Sequence, residues 1–256
     1  MPQNNTPPKL PTATAVSAVD RALVVLATLA TQGRAMTAAE LIATTALSQS
    51  TLYRQLASLK RWGFVLEVDG RYAPGPLSLQ LALGFDMASH LVQHARAEMV
   101  AMAQQSQESV GLVVAVNGQA VCIDMVDSTQ SLRCSFEKGR SVPLQKGASS
   151  KCLLAHLPAA ALQAALDANF ATDDPGLPAL QAELGNIRKA GYVVSHGEVD
   201  AGVWGVSAPV LTSGKRALGA LTLMAPTVRA QGKQPQLIQM LVVSAARISR
   251  NLNTAT

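Results

Sequence analysis

The sequence predicts an α+β chain in two parts: a small helical head closed by a β-hairpin, then an antiparallel sheet with flanking helices. Three observations predict it. Helical periodicity with capping signals fills the stretch from Ser17 to Gly63, the dipeptides Asp69-Gly70 and Asn117-Gly118 mark two tight hairpins, and strand-like runs lie on both sides of a helical block between Ser149 and Gly191. At 256 residues, 48% hydrophobic and 14% charged, the chain can bury full cores, and its length favours two domains over one.

The head builds up in order. From Ser17, SAVDRALVVLATLATQG places Val19, Ala22, Leu23, Leu26, Leu29 and Ala30 at helical spacing, with Ser17 as N-cap and Gly33 as stop. Thr37 and Glu40 form a T-x-x-E capping box that opens a short second helix to about Ala43. Ser48 caps a third, SQSTLYRQLASLKRWGF, which ends near Gly63. It stacks Leu52, Leu56 and Leu59 on one side and sets Ser50, Arg54, Ala57 and Arg61 almost opposite. FVLEVDGRYAPG then reads as two strands, Phe64–Val68 and Arg71–Ala73, turning through Asp69-Gly70. Helix, helix, helix and β-wing make a winged helix-turn-helix.

Such a unit reads DNA when the third helix leads with small residues that let its backbone approach phosphates and follows with side chains that reach base edges. Ser48, Gln49, Ser50 and Thr51 meet the first need, and Tyr53 and Arg54 the second. Arg54 suits a guanine, Gln49 an adenine, Arg61 a phosphate, and Arg71 on the wing the backbone or the minor groove. Any one of these helices alone reads as an amphipathic helix with a solvated face. Three in this spacing, followed by a wing, favour DNA. For Tyr53 the alternative is packing at the helix edge against the wing.

After the head, a helical stretch from Pro76, interrupted at Gly84, suggests a linker helix over 76–90 and a new helix near Ser89. SVGLVVAVNGQAVCIDMVD gives two strands hinged on Asn117-Gly118, with SLRCSF as an expected third strand. Three helical runs follow, the last stopped by Gly191. YVVSH, GVWGVSAPVL and ALGALTLMA return to strands, with TSGKR as the last turn, and an amphipathic helix on Leu237, Leu241, Ala245, Ile248 and Leu252 closes the chain. The resulting division is a disordered tail over 1–15, a head over 16–75, the linker helix, and a second domain over 91–256.

Several functions lack their signatures. There is no G-x-S-x-G, no phosphate-cradling glycine loop and no cluster of His, Cys and carboxylate, so no enzyme and no cofactor are expected. His90 and His94 stand at i, i+4 without an intervening Glu motif and read as a helix-surface pair, so no metal site is expected. Cys122, Cys134 and Cys152 form no C-x-x-C and read as buried thiols. No apolar run spans a membrane, and MPQNNTPPKLPTATAVS lacks a secretory pattern, which predicts a cytoplasmic protein. The net charge is +5, with seven Lys/Arg against four Asp/Glu up to Gly75. An excess of this size also occurs on ordinary solvated surfaces, so placement decides its meaning.

The front motifs SAVDRALVVLATLA, MTAAELIATTALSQSTLYRQLASLKRWGFV and GRYAPGPLSLQL resemble the amino-terminal half of IclR-type transcriptional regulators. In the rear, GRSVPLQKGASSKCLLA and IRKAGYVVSHGEVDAGVWGVSAPV resemble that family's effector-domain motifs, so the resemblance runs from Ser17 to Leu252. It implies a winged helix-turn-helix joined to a GAF-like antiparallel sheet with flanking helices, double-stranded operator DNA as partner, a homodimer with tetramers as a further step, and a small-molecule effector. By motif alignment the effector pocket would use Cys134 and Val142 on the strand and loop before a helix, Ala148 and Ser149 at its start, and Ser195, Gly205, Thr222 and Met224 on the closing strands. A helix start following Gly147 suits a carboxylate, although Ser149 or Ser150 could equally be a plain N-cap.

Gln49 stands where a Lys is common in the family and Tyr53 where a His is common, so the operator is this chain's own. Ser195 replaces a commonly acidic residue and Met224 a small hydroxyl one, which points to an organic acid with a sizeable apolar body. The rival expectation is a small-molecule binding protein or enzyme whose winged helix only contacts proteins.

Overall fold

The computed structural model describes residues 17–170 and 174–254. The tail expected over 1–15 lies outside them. Contacts divide the chain after Ala88 into two compact units.

The first unit comprises α1 (Ala18–Gln32), β1 (Met36–Thr37), α2 (Ala38–Thr45), α3 (Gln49–Arg61), β2 (Val65–Val68), β3 (Arg71–Pro74) and α4 (Pro76–Ala88). Both early helices start on full capping boxes, Ser17 with Asp20 and Thr37 with Glu40, so their first amides are satisfied by residues three positions away. Gly33 closes α1 in the left-handed region at φ 60°. Leu52 and Leu56 of α3 are essentially fully buried against Val25, Leu29 and Leu41 of the first two helices.

The wing turns through Asp69 at φ 51° and Gly70 at φ 71°, which keeps the expected tight hairpin, with Val68 opposite Arg71. Met36–Thr37 adds a third short strand against Arg71 and Tyr72, unannounced by any periodicity in the sequence. Behind the wing, Gly75 crosses Gly63 so closely that a Cβ there would overlap the Gly63 carbonyl. Helix α4 runs through Gly84 without a break. The interruption falls at Ser89, whose hydroxyl caps the next helix by accepting from the Val92 amide at 3.3 Å.

The second unit comprises α5 (His90–Ser106), β4 (Ser109–Val116), β5 (Gln119–Val126), β6 (Ser141–Pro143), α6 (Ala148–Ala155), α7 (Ala159–Asn169), α8 (Leu177–Ala190), β7 (Val193–His196), β8 (Val203–Leu211), β9 (Ala217–Pro226), α9 (Thr227–Ala230) and α10 (Gln234–Thr254). Its strands form one antiparallel sheet in the order β6-β5-β4-β9-β8-β7. Strand alternation sorts the two faces. Trp204, Val206, Leu221 and Leu223 point to one side and pack with α5 and α10. Ala220 faces the other side, beneath Leu153 of α6 and Leu184 of α8.

One expected element is corrected. SLRCSF is not a strand, and the third strand is β6, paired with β5. The alternation in SLRCSF imitates a strand, but Leu132 is 63% exposed and has no core face to bury. The segment is held instead by side chains: Arg229 donates to the Leu132 carbonyl at 2.6 Å and Ser135 donates to Asp127.

Candidate functional site

On α3 the leucines are spent on the core, which fixes what the opposite face presents. Ser48, Gln49, Ser50, Tyr53, Arg54 and Arg61 are exposed and Thr51 is half-buried. The Ser48 hydroxyl accepts from the Thr51 amide at 3.4 Å and bonds the Thr51 hydroxyl at 2.9 Å, so the helix start is organised by its own residues while remaining in the open. Among the described residues, nothing bonds or pairs with the guanidinium of Arg54 or of Arg61. Tyr53 is 46% exposed and lies close enough to Tyr72 of β3 to interact with it.

Arg71 stands at the wing's turn, donating to the Ala35 carbonyl at 3.5 Å with Glu40 at 3.9 Å. Glu40 itself accepts from the Thr37 amide at 2.7 Å and pairs with Arg34 at 2.9 Å. The Thr37 amide first, and Arg34 after it, hold its pKa down at about 2. Lys60 bonds Glu67 across to the wing and lies over the Tyr72 ring, fastening the end of α3 to β2 and β3. Trp62, at the end of the helix, is 67% exposed.

The second unit carries a cavity of about 500 Å³, and the sheet explains why it exists. Ser195, Gly205 and Met224 lie in one cross-strand row, and Ser207, Thr222 and Gly111 in another. Glycines and hydroxyl residues on this face do not reach the layer above, so space remains under the start of α6. Gly205 is central: a Cβ there would sit 3.2 Å from Ser195 Oγ and 3.9 Å from Ala148 Cβ. The Ser207 and Thr222 hydroxyls satisfy each other at 2.8 Å. Ser149 and Ser195 are mostly buried residues that line the cavity, and their hydroxyls remain open to it with no partner among the described residues, whereas the Ser150 hydroxyl is sealed off without a partner. The apolar side of the lining includes Phe136, Val199 and Met224, with the exposed Leu132 and Val228 beside it.

Helix α6 starts in this wall, and no side chain of its own caps it. Its N-cap is Gly147, at φ 86°, whose amide donates to Glu198 Oε2 at 3.0 Å. Glu198 Oε1 accepts from Lys151 at 2.9 Å, and Lys151 also reaches Glu183 of α8 at 2.9 Å. Burial alone would lower the Lys151 pKa, but the bonds to the two carboxylates outweigh it and raise it. Outside the lining, Arg229 holds Glu108 through two bonds of 2.7 Å and keeps the segment carrying Cys134 in place through the Leu132 carbonyl. Burial and then Glu108 push the Cys134 thiol up; burial and then Asp124 take Cys122 to about 11; and burial pushes up Cys152. All three remain protonated thiols near neutrality.

Of the residues named from sequence, Cys134, Ala148, Ser149, Ser195, Gly205, Thr222 and Met224 are brought together around the cavity. Val142 is corrected: it sits on β6 opposite Ala120 and packs, half-buried, against the core below α6. Cys134 lies on the irregular segment, not on a strand. Sequence reasoning missed Glu198 and Arg133, which also line the cavity. A signal for Glu198 existed in Lys151, a lysine on a mostly apolar helix with no acid three or four positions away to pair with. His90 and His94 stack at 5.8 Å, with His94 Nδ1 on the His90 carbonyl. No group of three or more potential metal ligands occurs among the described residues, and no helix among them is long and apolar enough to cross a membrane.

A winged helix that leaves basic side chains unpaired on its third helix, in one chain with a sheet unit holding a ligand-sized cavity, defines a DNA-binding transcriptional regulator with an effector domain. The chain belongs to the IclR family: residues 18–69 match the IclR helix-turn-helix domain and residues 87–250 the bacterial transcriptional regulator IclR C-terminal domain. It is similar to the HTH-type transcriptional regulator KipR of Bacillus subtilis, at 22% identity over 85% of this chain and 90% of that protein.

Among solved structures, an IclR transcriptional regulator from Silicibacter superposes with a TM-score of 0.80 at 23% identity, covering 92% of this chain and 96% of its own. An IclR homolog from Microbacterium hydrocarbonoxydans, complexed with 4-hydroxybenzoate, does so with a TM-score of 0.71 at 25% identity over 94% and 100%. These families are regulators and not enzymes, which removes the enzymatic rival.

Proposed function

We propose that this chain controls catabolic genes in response to an organic acid with a sizeable apolar body. The observation that carries the reading is the pair of cavity-facing hydroxyls without a protein partner, Ser149 and Ser195, beside an α6 start that lacks a cap of its own. First-turn amides and hydroxyls suit a carboxylate, while Phe136, Val199 and Met224 suit an aromatic or medium aliphatic body. A volume of about 500 Å³ falls in the range of small-molecule pockets. The Microbacterium homolog with 4-hydroxybenzoate supports the same chemistry.

In the head, Ser48, Ser50 and Thr51 bring the backbone of α3 to phosphates, and Gln49, Tyr53 and Arg54 face base edges. Arg61 and the free side of Arg71 take the flanking backbone. Val19 and Leu23 on α1, with Leu79, Leu81, Leu83 and Phe85 on α4, are exposed, more apolar surface than a lone head should show to water. That supports a homodimer through head and linker, reading a pseudo-palindromic operator in the cytoplasm, with pairing into tetramers as a further step. The effector acts by its differential affinity for two states of the regulator.

Calorimetric titration with a panel of carboxylic acids tests the sensor. Aromatic or medium aliphatic acids should bind. Binding confined to short hydroxy or keto acids would contradict the reading.

A further inference from the structure

Building on that reading of the cavity, we infer that Glu198 is an internal stand-in for the effector's carboxylate, occupying the anion position at the start of α6 until the effector displaces it. Glu198 arrives from the loop between β7 and β8, 51 residues along the chain from Gly147, and divides its two oxygens between the Gly147 amide at 3.0 Å and Lys151 at 2.9 Å. The loop lies directly on the helix start: a Cβ at Gly147 would come within 2.7 Å of Val199 Cγ2. Yet the Glu198 side chain is 29% exposed and lines the cavity, so it is held by polar bonds and not locked into a core.

A second observation shows that the chain itself does not complete this site. Ser149 is 5% and Ser195 8% exposed, both line the cavity, and Glu198 satisfies neither hydroxyl. Hydroxyls that open onto the cavity and are claimed by no protein group are available to bond a ligand there.

Charge then decides between addition and exchange. The cluster already holds two carboxylates, Glu183 and Glu198, around one ammonium, Lys151. Arg133 and Asp200, both exposed, also line the cavity and offset one another, so a third carboxylate at the same amides would still face a net like charge in a partly buried setting. Exchange avoids this, because Lys151 keeps Glu183 when Glu198 leaves and no buried cation is orphaned. Loop 197–202 is then released from α6 only by ligands that carry an anion. Glu198 is thus a positioning residue that sets selectivity for acids and converts their binding into movement of a loop.

The test titrates 4-hydroxybenzoate, benzoate and phenylacetate, with 4-hydroxybenzamide as a neutral analogue, into the full-length wild type and Glu198→Gln. Gln keeps the size but offers a single acceptor oxygen, so it can hold the Gly147 amide or Lys151 but not both; the competing charge is removed and Lys151 retains Glu183. The acids should bind the variant roughly ten-fold more tightly, the scale of trading a charge-assisted hydrogen bond for a neutral one, and the amide should bind both alike. Glu198→Ala, which removes the occupant outright, should extend the trend, and Glu198→Gln decides if that variant does not fold. Acids that bind the wild type but gain nothing in Glu198→Gln, or lose affinity, overturn the exchange and leave the effector reading standing. Acids that bind neither protein overturn the effector reading and the exchange with it.

Discussion

Helices α3 and α6 both begin at a candidate binding surface, but they solve the same problem at their first turns in opposite ways. An α-helix starts with amides that lack intrahelical acceptors. Helix α3 meets this locally, with Ser48, and stays in the open with Arg54 and Arg61 unpaired among the described residues. Helix α6 begins on a glycine, buried, and borrows Glu198 from across the sheet. The first arrangement is rigid before any partner arrives and suits a polyanion whose charge is spread along a backbone. The second makes the helix start part of a tertiary network, so whatever occupies it is felt by the β7–β8 loop. One region is organised for contact and the other for exchange.

Disrupting the core beneath α3 should have the strongest consequence. Leu52→Ala empties a fully buried site under α3 and should cost about 2–5 kcal/mol of stability. Because the two units have separate cores, calorimetry should show the head melting earlier while acid binding survives.

Arg54→Ala sharpens the comparison instead, since its side chain supports no fold contact. Specific DNA affinity should fall by about 1–3 kcal/mol with an unchanged melting temperature. An equal loss of both would move Arg54 from reading to structure. On the other half, Gly205→Val projects methyl groups at Ser195 and Ala148 and should cost acid binding about 1–3 kcal/mol, the scale of a methylene-sized misfit, with DNA affinity in the absence of acid retained. Ser48→Ala should remove about 1 kcal/mol of head stability, as expected for loss of a local cap.

The smallest effect is a pH dependence. Glu40 is ionised in the folded head down to a pKa of about 2, against an ordinary value of 4.5. Its contribution is therefore fully present above 4.5 and fades as the pH falls toward 2. Melts of wild type and Glu40→Gln should differ near neutrality and converge at the acid end of that window. The Glu40 side chain is 36% exposed and partly screened by water, so the difference should be modest.

The same contrast explains what the sequence disclosed. The head was legible because its signals are local: two capping boxes, a serine cap and an Asp-Gly turn each act within a few residues. The Asn117-Gly118 hairpin was legible for the same reason, with φ values of 49° and 72°. Residues around the cavity were reachable only through the family resemblance, since Ser195, Gly205 and Met224 meet through strand pairing that no local pattern encodes. SLRCSF misled because alternation was present without a core to face. Val142 misled because its neighbourhood is correct but its side chain points into packing. Glu198 stayed hidden because its partners are separated from it by a helical block and a strand.

The role proposed for the exposed face of α3 is to read a specific DNA site. The most direct test is a footprint of the purified protein on the DNA upstream of its own and neighbouring genes, at about 50 and about 200 mM salt, where phosphate-dependent affinities separate clearly. The expected result is a protected, roughly palindromic site whose affinity drops steeply at the higher salt and that Arg54→Ala fails to protect at wild-type concentration. Uniform weak binding along the whole fragment, or a protected site that Arg54→Ala holds as well as the wild type, would contradict it.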